Sequence, residues 1–245
     1  MSEKEKFTGS DTDGGITSSY AMDDGVVLKV AYSFFGSIYD EDERNMALEA
    51  MGQDTLTMGP QVQAFQNEFA AMCGVKHAFA ATNCTTSMHV ATQVFGIKPG
   101  DEVIVTPNTF IATSLVILKE GATPVYADID PKTFNIDPAE IEKKITSKTK
   151  AIYVVHYGGM MCDMDPIMEI ARKHNLYVLE DCAHAPGAEY KGRKAGTIGD
   201  IGCFSFHCLK NMTTCGEGGM ITTNHDEFVD PIEKLRCMNL DTWKN

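Results

Sequence analysis

LYVLEDCAHA, residues 176–185, is the stretch on which the fold turns. The residues from Leu176 to Leu179 run together without polar interruption and give way abruptly to Glu180 and Asp181. A strand with one wet face would alternate apolar and polar positions; an unbroken run suits a strand covered on both faces by helices. Besides LYVLE (176–180), similar short runs occur at HAFA (77–80), EVIVT (102–106), TPVYA (123–127), AIYVV (151–155), IGCFSF (201–206) and GMITT (219–223). Seven strands separated by helical stretches predict an α/β fold, a mostly parallel, doubly wound seven-stranded sheet with helices on both faces. Ligands of such sheets bind beyond the carboxyl ends of the strands, so the two acids that close this run mark where chemistry belongs.

The helices between the runs are well punctuated. QVQAFQNEFAAMC (61–73) predicts a helix with Val62, Phe65, Phe69 and Met72 on one face and Gly74 as a left-handed stop. Asp137-Pro138 and Asp165-Pro166 each predict an N-cap followed by proline at the first helical position. The second of these helices is expected to bury Ile167, Ile170 and Ala171 and to end at Asn175. The chain has 245 residues, 43% of them hydrophobic, enough for one well-buried domain of above-average size. Residues 1–29 are polar and aperiodic and read as a flexible arm, which leaves residues 30–238 for the domain.

A formal net charge of −13 and the lack of any basic run disfavour nucleic acid and anionic membrane surfaces as partners. No apolar stretch is long enough to span a bilayer, and the N-terminus carries no signal-like segment, so the expected location is cytoplasmic. The eight cysteines contain no CxxC pair and no zinc-like spacing, and most lie in apolar surroundings. They read as buried, reduced thiols, and no metal site is expected.

Three constellations fall at strand ends. The first is Glu180-Asp181, with His184 three residues beyond Asp181. In FSFHCLKNMTTCGEGG (204–219), Ser205 lies in the strand and Lys210 in the turn after it. Phe204, Phe206 and Leu209 are expected to surround Lys210, and Gly216, Gly218 and Gly219 to allow close backbone approach. A lysine among apolar neighbours is a usable amine nucleophile. In ATNCTTSMHVATQVFG (81–96), hydroxyl residues open a helix whose apolar face includes Met88, Ala91, Val94 and Phe95. Such a helix start is an anion site. Taken singly, Asp181 suits a helix cap, Lys210 a solvated surface position and the threonines a capped helix. Together they supply what pyridoxal phosphate (PLP) needs: an amine for its aldehyde, an acid for its ring nitrogen and a cradle for its phosphate.

EDCAHAPGAEYKGRKAGTIGDIGCFSFHCLKNMTTCGEGGMITTN (180–224) resembles the signature of the DegT/StrS-type sugar aminotransferases, a branch of the fold-type I PLP enzymes. NCTTSMHVA (83–91), GDEVIVTPNTFIATS (100–114), GATPVYADID (121–130), VHYGG (155–159) and DMDPI (163–167) follow that family's order, and the likeness runs from about residue 33 to 240. The resemblance implies the large domain of fold type I, with Lys210 as the Schiff-base lysine and Asp181 as the acid on the pyridinium nitrogen. It implies His184 near the ring's phenolic oxygen, Ser205, Thr85 and Thr86 as phosphate ligands, and Phe110 stacked on the ring. His156 and Tyr157 fall in the motif that lines the substrate side.

A subgroup of the family carries histidine in place of the lysine and deoxygenates sugars; the lysine retained here implies amine transfer. The implied reaction moves an amino group from glutamate to a nucleotide-linked keto-sugar in two half-reactions, in a homodimer with its sites at the subunit interface. Family members continue past NLDTWKN into a smaller C-terminal domain, so residues 239–245 are expected to begin the linker to it. Rival readings are a PLP-dependent dehydratase, a cyclitol aminotransferase, an inactive or regulatory PLP-binding homologue, and a metal hydrolase using His156, Asp181 and His184.

Overall fold

A computed structural model of the chain describes residues 39–237; the expected arm (1–29) and linker (239–245) lie outside the described residues. Every one of the seven runs is a strand of one sheet. β1 (His77–Ala81), β2 (Glu102–Val105), β3 (Thr123–Tyr126), β4 (Thr149–Val155), β5 (Tyr177–Asp181), β8 (Ile201–Ser205) and β9 (Gly219–Thr223) are ordered β1-β9-β8-β5-β4-β2-β3. Only β9 runs against its neighbours, so the sheet is mostly parallel, as expected. The helices are α1 (Glu41–Met51), α2 (Pro60–Cys73), α3 (Cys84–Val94), α4 (Ala112–Lys119), α5 (Pro138–Lys144), α6 (Met164–His174) and α7 (Val229–Arg236).

Strand parity divides the core into two faces. Val103, Val105, Tyr153, Leu179, Cys203 and Ile221 pack with Met88 and Ala91 of α3, Val116 and Ile117 of α4 and Ile232 of α7. On the opposite face Ile104, Ile152, Val154 and Val178 pack with Ile141 of α5 and Ile167 of α6, while Phe204 and Met220 pack with Phe69 of α2. Both faces of the central strands are thus dry, which is why they read as continuous apolar runs; the edge strand β3 is only partly covered. Among the described residues no helix is long and apolar enough to cross a membrane.

Several local expectations need correction. Met72 of α2 points outward, and Gln66 and Cys73 take the buried positions beside Phe69. Gln66 is tolerated there because its Oε1 accepts from the amide of Ala80 and from Arg236. The helix with Asp165-Pro166 starts earlier than predicted, with Asp163 at the N-cap. Asp165 instead pairs with Lys191 and Arg193 of a hairpin that the apolar pattern does not reveal, β6 (Glu189–Tyr190) with β7 (Arg193–Lys194). Asp137, by contrast, caps α5 through the amide of Ala139, with Pro138 in the first turn, as predicted. Gly74 and Asn175 stop α2 and α6 in the left-handed region, also as predicted.

Candidate active site

At the carboxyl end of the parallel strands lies a cleft of about 410 Å³. Its walls come from the exits of β1, β2, β4, β5 and β8 and from the turn that leads into β9. Thr85, Phe110, Asp181, His184, Ser205 and Lys210 all line it, so six residues scattered through the sequence meet in one place.

Asp181 is the last residue of β5 and is buried. Its Oδ2 accepts a hydrogen bond from the Thr113 hydroxyl at 2.8 Å, and Oδ1 accepts the amide of Ala183 at 3.1 Å, with Cys84 Sγ at 3.9 Å. Thr113 is in turn bonded to Thr109 at 2.8 Å. This carboxylate is therefore oriented from one side while keeping acceptor capacity for a ligand. Burial, with the Asp181 charge beside it, pushes the Cys84 thiol well above its usual range. His184 is half-buried; burial and then the Lys210 charge lower its pKa, and its Nδ1 accepts the amide of Gly158 at 3.4 Å.

The loop from β1 into α3 forms the second wall. Asn83 caps α3: its Oδ1 accepts the Thr86 amide at 2.9 Å and the Thr86 hydroxyl at 3.0 Å. Thr86 is thus engaged in the cap and is not part of the cleft lining, unlike Thr85. The amides of Cys84 and Thr85, first in the helix, have no acceptor one turn back. Gly219, at the start of β9, presses against this loop. A Cβ there would lie 2.4 Å from the carbonyl carbon of Asn83, so the approach admits only glycine.

Lys210 sits in the turn after β8 and is half-buried. Two of its expected apolar neighbours are elsewhere. Because side chains alternate along a strand, Phe204 and Phe206 leave the face that Ser205 occupies. Their rings pack on Phe69 at 4.9 and 5.4 Å, within the core under α2, and only Leu209 shares the cleft with Lys210. Phe110 stands at the mouth and is 72% exposed.

His156 is not brought to the cleft. It is fully buried on the other face of the sheet, where Nε2 meets Glu180 Oε2 at 2.9 Å and Nδ1 accepts the amide of Cys162 at 3.1 Å. Tyr157 lies nearer, with its ring edge-on to His184 at 6.1 Å. The triad His156, Asp181 and His184 imagined for a metal is therefore not assembled. His156, Glu180 and Cys182 do bring ligand-type atoms within 4.8 Å of one another. Both Glu180 oxygens, however, are occupied by amides of Gly196, Ile198 and Gly199 as well as by His156, which makes the group a hydrogen-bond knot.

Sequence reasoning missed Asn83, Thr113, His207 and Glu217. Asn83 carried a signal in the Asn-x-x-Thr spacing of a cap, and the Gly-flanked Glu217 lay inside a quoted motif; Thr113 had no local signal. The donor set that results is an amine, a carboxylate with spare acceptor capacity, two hydroxyls and the amides of a helix start. It fits a ligand bearing an aldehyde, a ring nitrogen and a phosphate, as pyridoxal phosphate does.

Residues 37–245 match the DegT/DnrJ/EryC1/StrS aminotransferase family, a family of PLP-dependent enzymes named for its transaminases. The chain is 50% identical over 203 residues to GDP-perosamine synthase of Caulobacter vibrioides, covering 82% of this chain and 54% of that protein. Among solved structures, the aminotransferase from Psychrobacter cryohalolentis superposes with a TM-score of 0.79 at 45% identity, over 83% of this chain and 52% of that one. A Streptococcus pneumoniae chain solved in its PLP form gives 0.78 at 30% identity, over 83% and 56%. The chain spans about half the length of the curated relatives it matches. With the matched span covering all the described strands and helices, and the fold of the sheet shared with fold-type I neighbours, the chain belongs to the DegT/DnrJ/EryC1/StrS aminotransferase family.

Proposed function

We propose that this chain carries the cofactor-binding machinery of a PLP-dependent aminotransferase that aminates a nucleotide-linked keto-sugar. The observation that carries the reading is the meeting of Lys210, Asp181, Ser205 and Thr85 in one cleft from three separate strand exits. The nucleotide-sugar acceptor is supported by the name of the perosamine relative. Glutamate as donor and a homodimer as the working assembly belong to the same proposal and rest on the family likeness.

Bound PLP supplies an aldehyde for amines and a ring that draws electrons from the carbon beside the bound nitrogen. Lys210 would hold the cofactor covalently through Nζ. When not so bonded, the same Nζ would move a proton to and from the substrate carbon, as base and then acid. Asp181, held by Thr113 and the Ala183 amide, keeps a proton on the ring nitrogen. Ser205, the Thr85 hydroxyl and the first amides of α3 receive the phosphate. Phe110, at the cleft mouth, would cover the ring, and Tyr157, beside His184, would meet the substrate. Donor and acceptor use the cleft in turn, which requires ping-pong kinetics.

The test is borohydride reduction of the PLP-loaded chain followed by peptide mapping. Cofactor is expected on the peptide bearing Lys210 and absent from Lys210→Ala; an adduct kept at wild-type yield in that variant would sink the assignment. Adding glutamate to the loaded protein should abolish its visible absorbance. A band that persists under glutamate would mark a binder without turnover.

A further inference from the structure

Ser205 closes β8 and Lys210 follows five residues later, so the intervening turn determines where the amine stands. His207 is the hub of that turn. The Leu209 amide donates to its Nδ1 at 3.1 Å, the Lys210 amide donates to its carbonyl at 2.9 Å, and its own amide reaches Ser205 Oγ at 3.4 Å. An acceptor nitrogen carries no proton, so the ring proton sits on Nε2, which lies 3.7 Å from Glu217 Oε1. Cys208 Sγ is 3.8 Å from both ring nitrogens, and His207 and Glu217 line the cleft with Lys210. The arrangement is that of an Asx turn, with the imidazole nitrogen in the place of a side-chain carbonyl two residues before the amide it caps.

We propose that His207 is a positioning residue: through Nδ1 it locks the 207–210 turn and so presents the Lys210 amine to the cleft. The proposal rests on the reading of Lys210 as the cofactor lysine. It assigns the task to one ring nitrogen, which makes it sharp. Asparagine puts its Oδ1 the same number of bonds from the backbone as Nδ1, whereas glutamine puts its polar group where Nε2 stands. His207→Asn should therefore preserve the turn and His207→Gln should not.

Two measurements test this. Amide exchange at Leu209 and Lys210 reads the turn in the cofactor-free chain, and borohydride trapping at timed intervals reads the rate at which Lys210 captures PLP. In His207→Asn both are expected to stay within about threefold of wild type. In His207→Gln and His207→Ala exchange should rise, and capture slow, by about tenfold, with melting temperature and non-covalently bound PLP unchanged. The proposal is overturned if His207→Gln matches wild type, if His207→Asn falls as far as His207→Ala, or if exchange rises while capture keeps its rate. Should the wild-type chain capture no PLP on Lys210, the reading of the lysine fails, and the exchange pattern still decides whether Nδ1 holds the turn.

Discussion

Glu180 and Asp181 are neighbours in sequence, carry the same charge and are both buried, yet they belong to two regions with opposite chemistry. Glu180 faces the side of the sheet packed by α5 and α6. Its Oε1 accepts the amides of Ile198 and Gly199 at 2.7 and 2.6 Å, and Oε2 accepts the amide of Gly196 at 3.0 Å and His156 at 2.9 Å. Burial alone pushes its pKa up, but His156 and the amides of Gly199 and Gly196 outweigh that and hold it below the usual carboxylate range. Asp181 faces the cleft with fewer protein donors. A buried acid that the fold has saturated ties segments together; one that the fold leaves partly unsatisfied is available to a ligand.

The sharpest way to break this comparison is Glu180→Gln. All four partners of Glu180 are N–H groups with nowhere else to turn, so the new amide NH₂ must face a donor. A loss of about 3–5 kcal/mol is expected, visible as a large fall in melting temperature. The wild-type contribution also carries a pH signature. A carboxyl lowered by folding adds stability that is fully present above its unfolded pKa and fades as pH falls through the folded one. Acid titration of stability should therefore lose that increment in Glu180→Gln.

Asp181→Asn is expected to do the reverse. The asparagine oxygen can keep the Ala183 amide, and the Thr113 hydroxyl can accept from the new NH₂ because it already reaches the Phe110 carbonyl at 3.3 Å. Folding should change little, while transaminase turnover falls by about a hundredfold, equivalent to about 2.7 kcal/mol in the barrier. A variant that unfolds instead would place Asp181 with Glu180 among the structural acids. Thr113→Val sharpens the contrast at smaller scale. It removes one hydrogen bond from Asp181 and should cost about 1 kcal/mol, read as a severalfold loss of turnover.

Strand parity alone says that Glu180 and Asp181 point to opposite faces; it does not say which face opens into a cleft. That depends on β5 standing beside β8 and on α3 and α4 crossing above it, which is a matter of strand order and not of local pattern. The central strands are legible because they are dry on both faces, and the edge strand β3 because Pro124, Val125 and Tyr126 keep its run short and apolar although Thr123 and Tyr126 are exposed. The β6–β7 hairpin is not, since its residues are mostly polar and its partners, Asp163 and Asp165 at the start of α6, lie more than twenty residues away. The sequence places Lys210 after a strand but not its surroundings: Phe204 and Phe206 are near it in the chain, yet the pleat sends them to the far face. Thr113 lay in a quoted motif without a reason, because its partner Asp181 is remote in the chain.

The close approach of Gly219 to Asn83 has a consequence for how the molecule is made. The capped start of α3 comes early in the chain, and the strand that braces it, β9, comes near the end of the described residues, pairing His77 with Thr223. Contacts so distant in sequence close slowly, after the loop entropy between them has been overcome. During synthesis the Asn83–Thr86 wall of the cleft is therefore unbraced until almost all of this sheet has left the ribosome. A cofactor that binds only the finished cleft acts on the last stage of folding, drawing the equilibrium toward the closed sheet in proportion to its concentration.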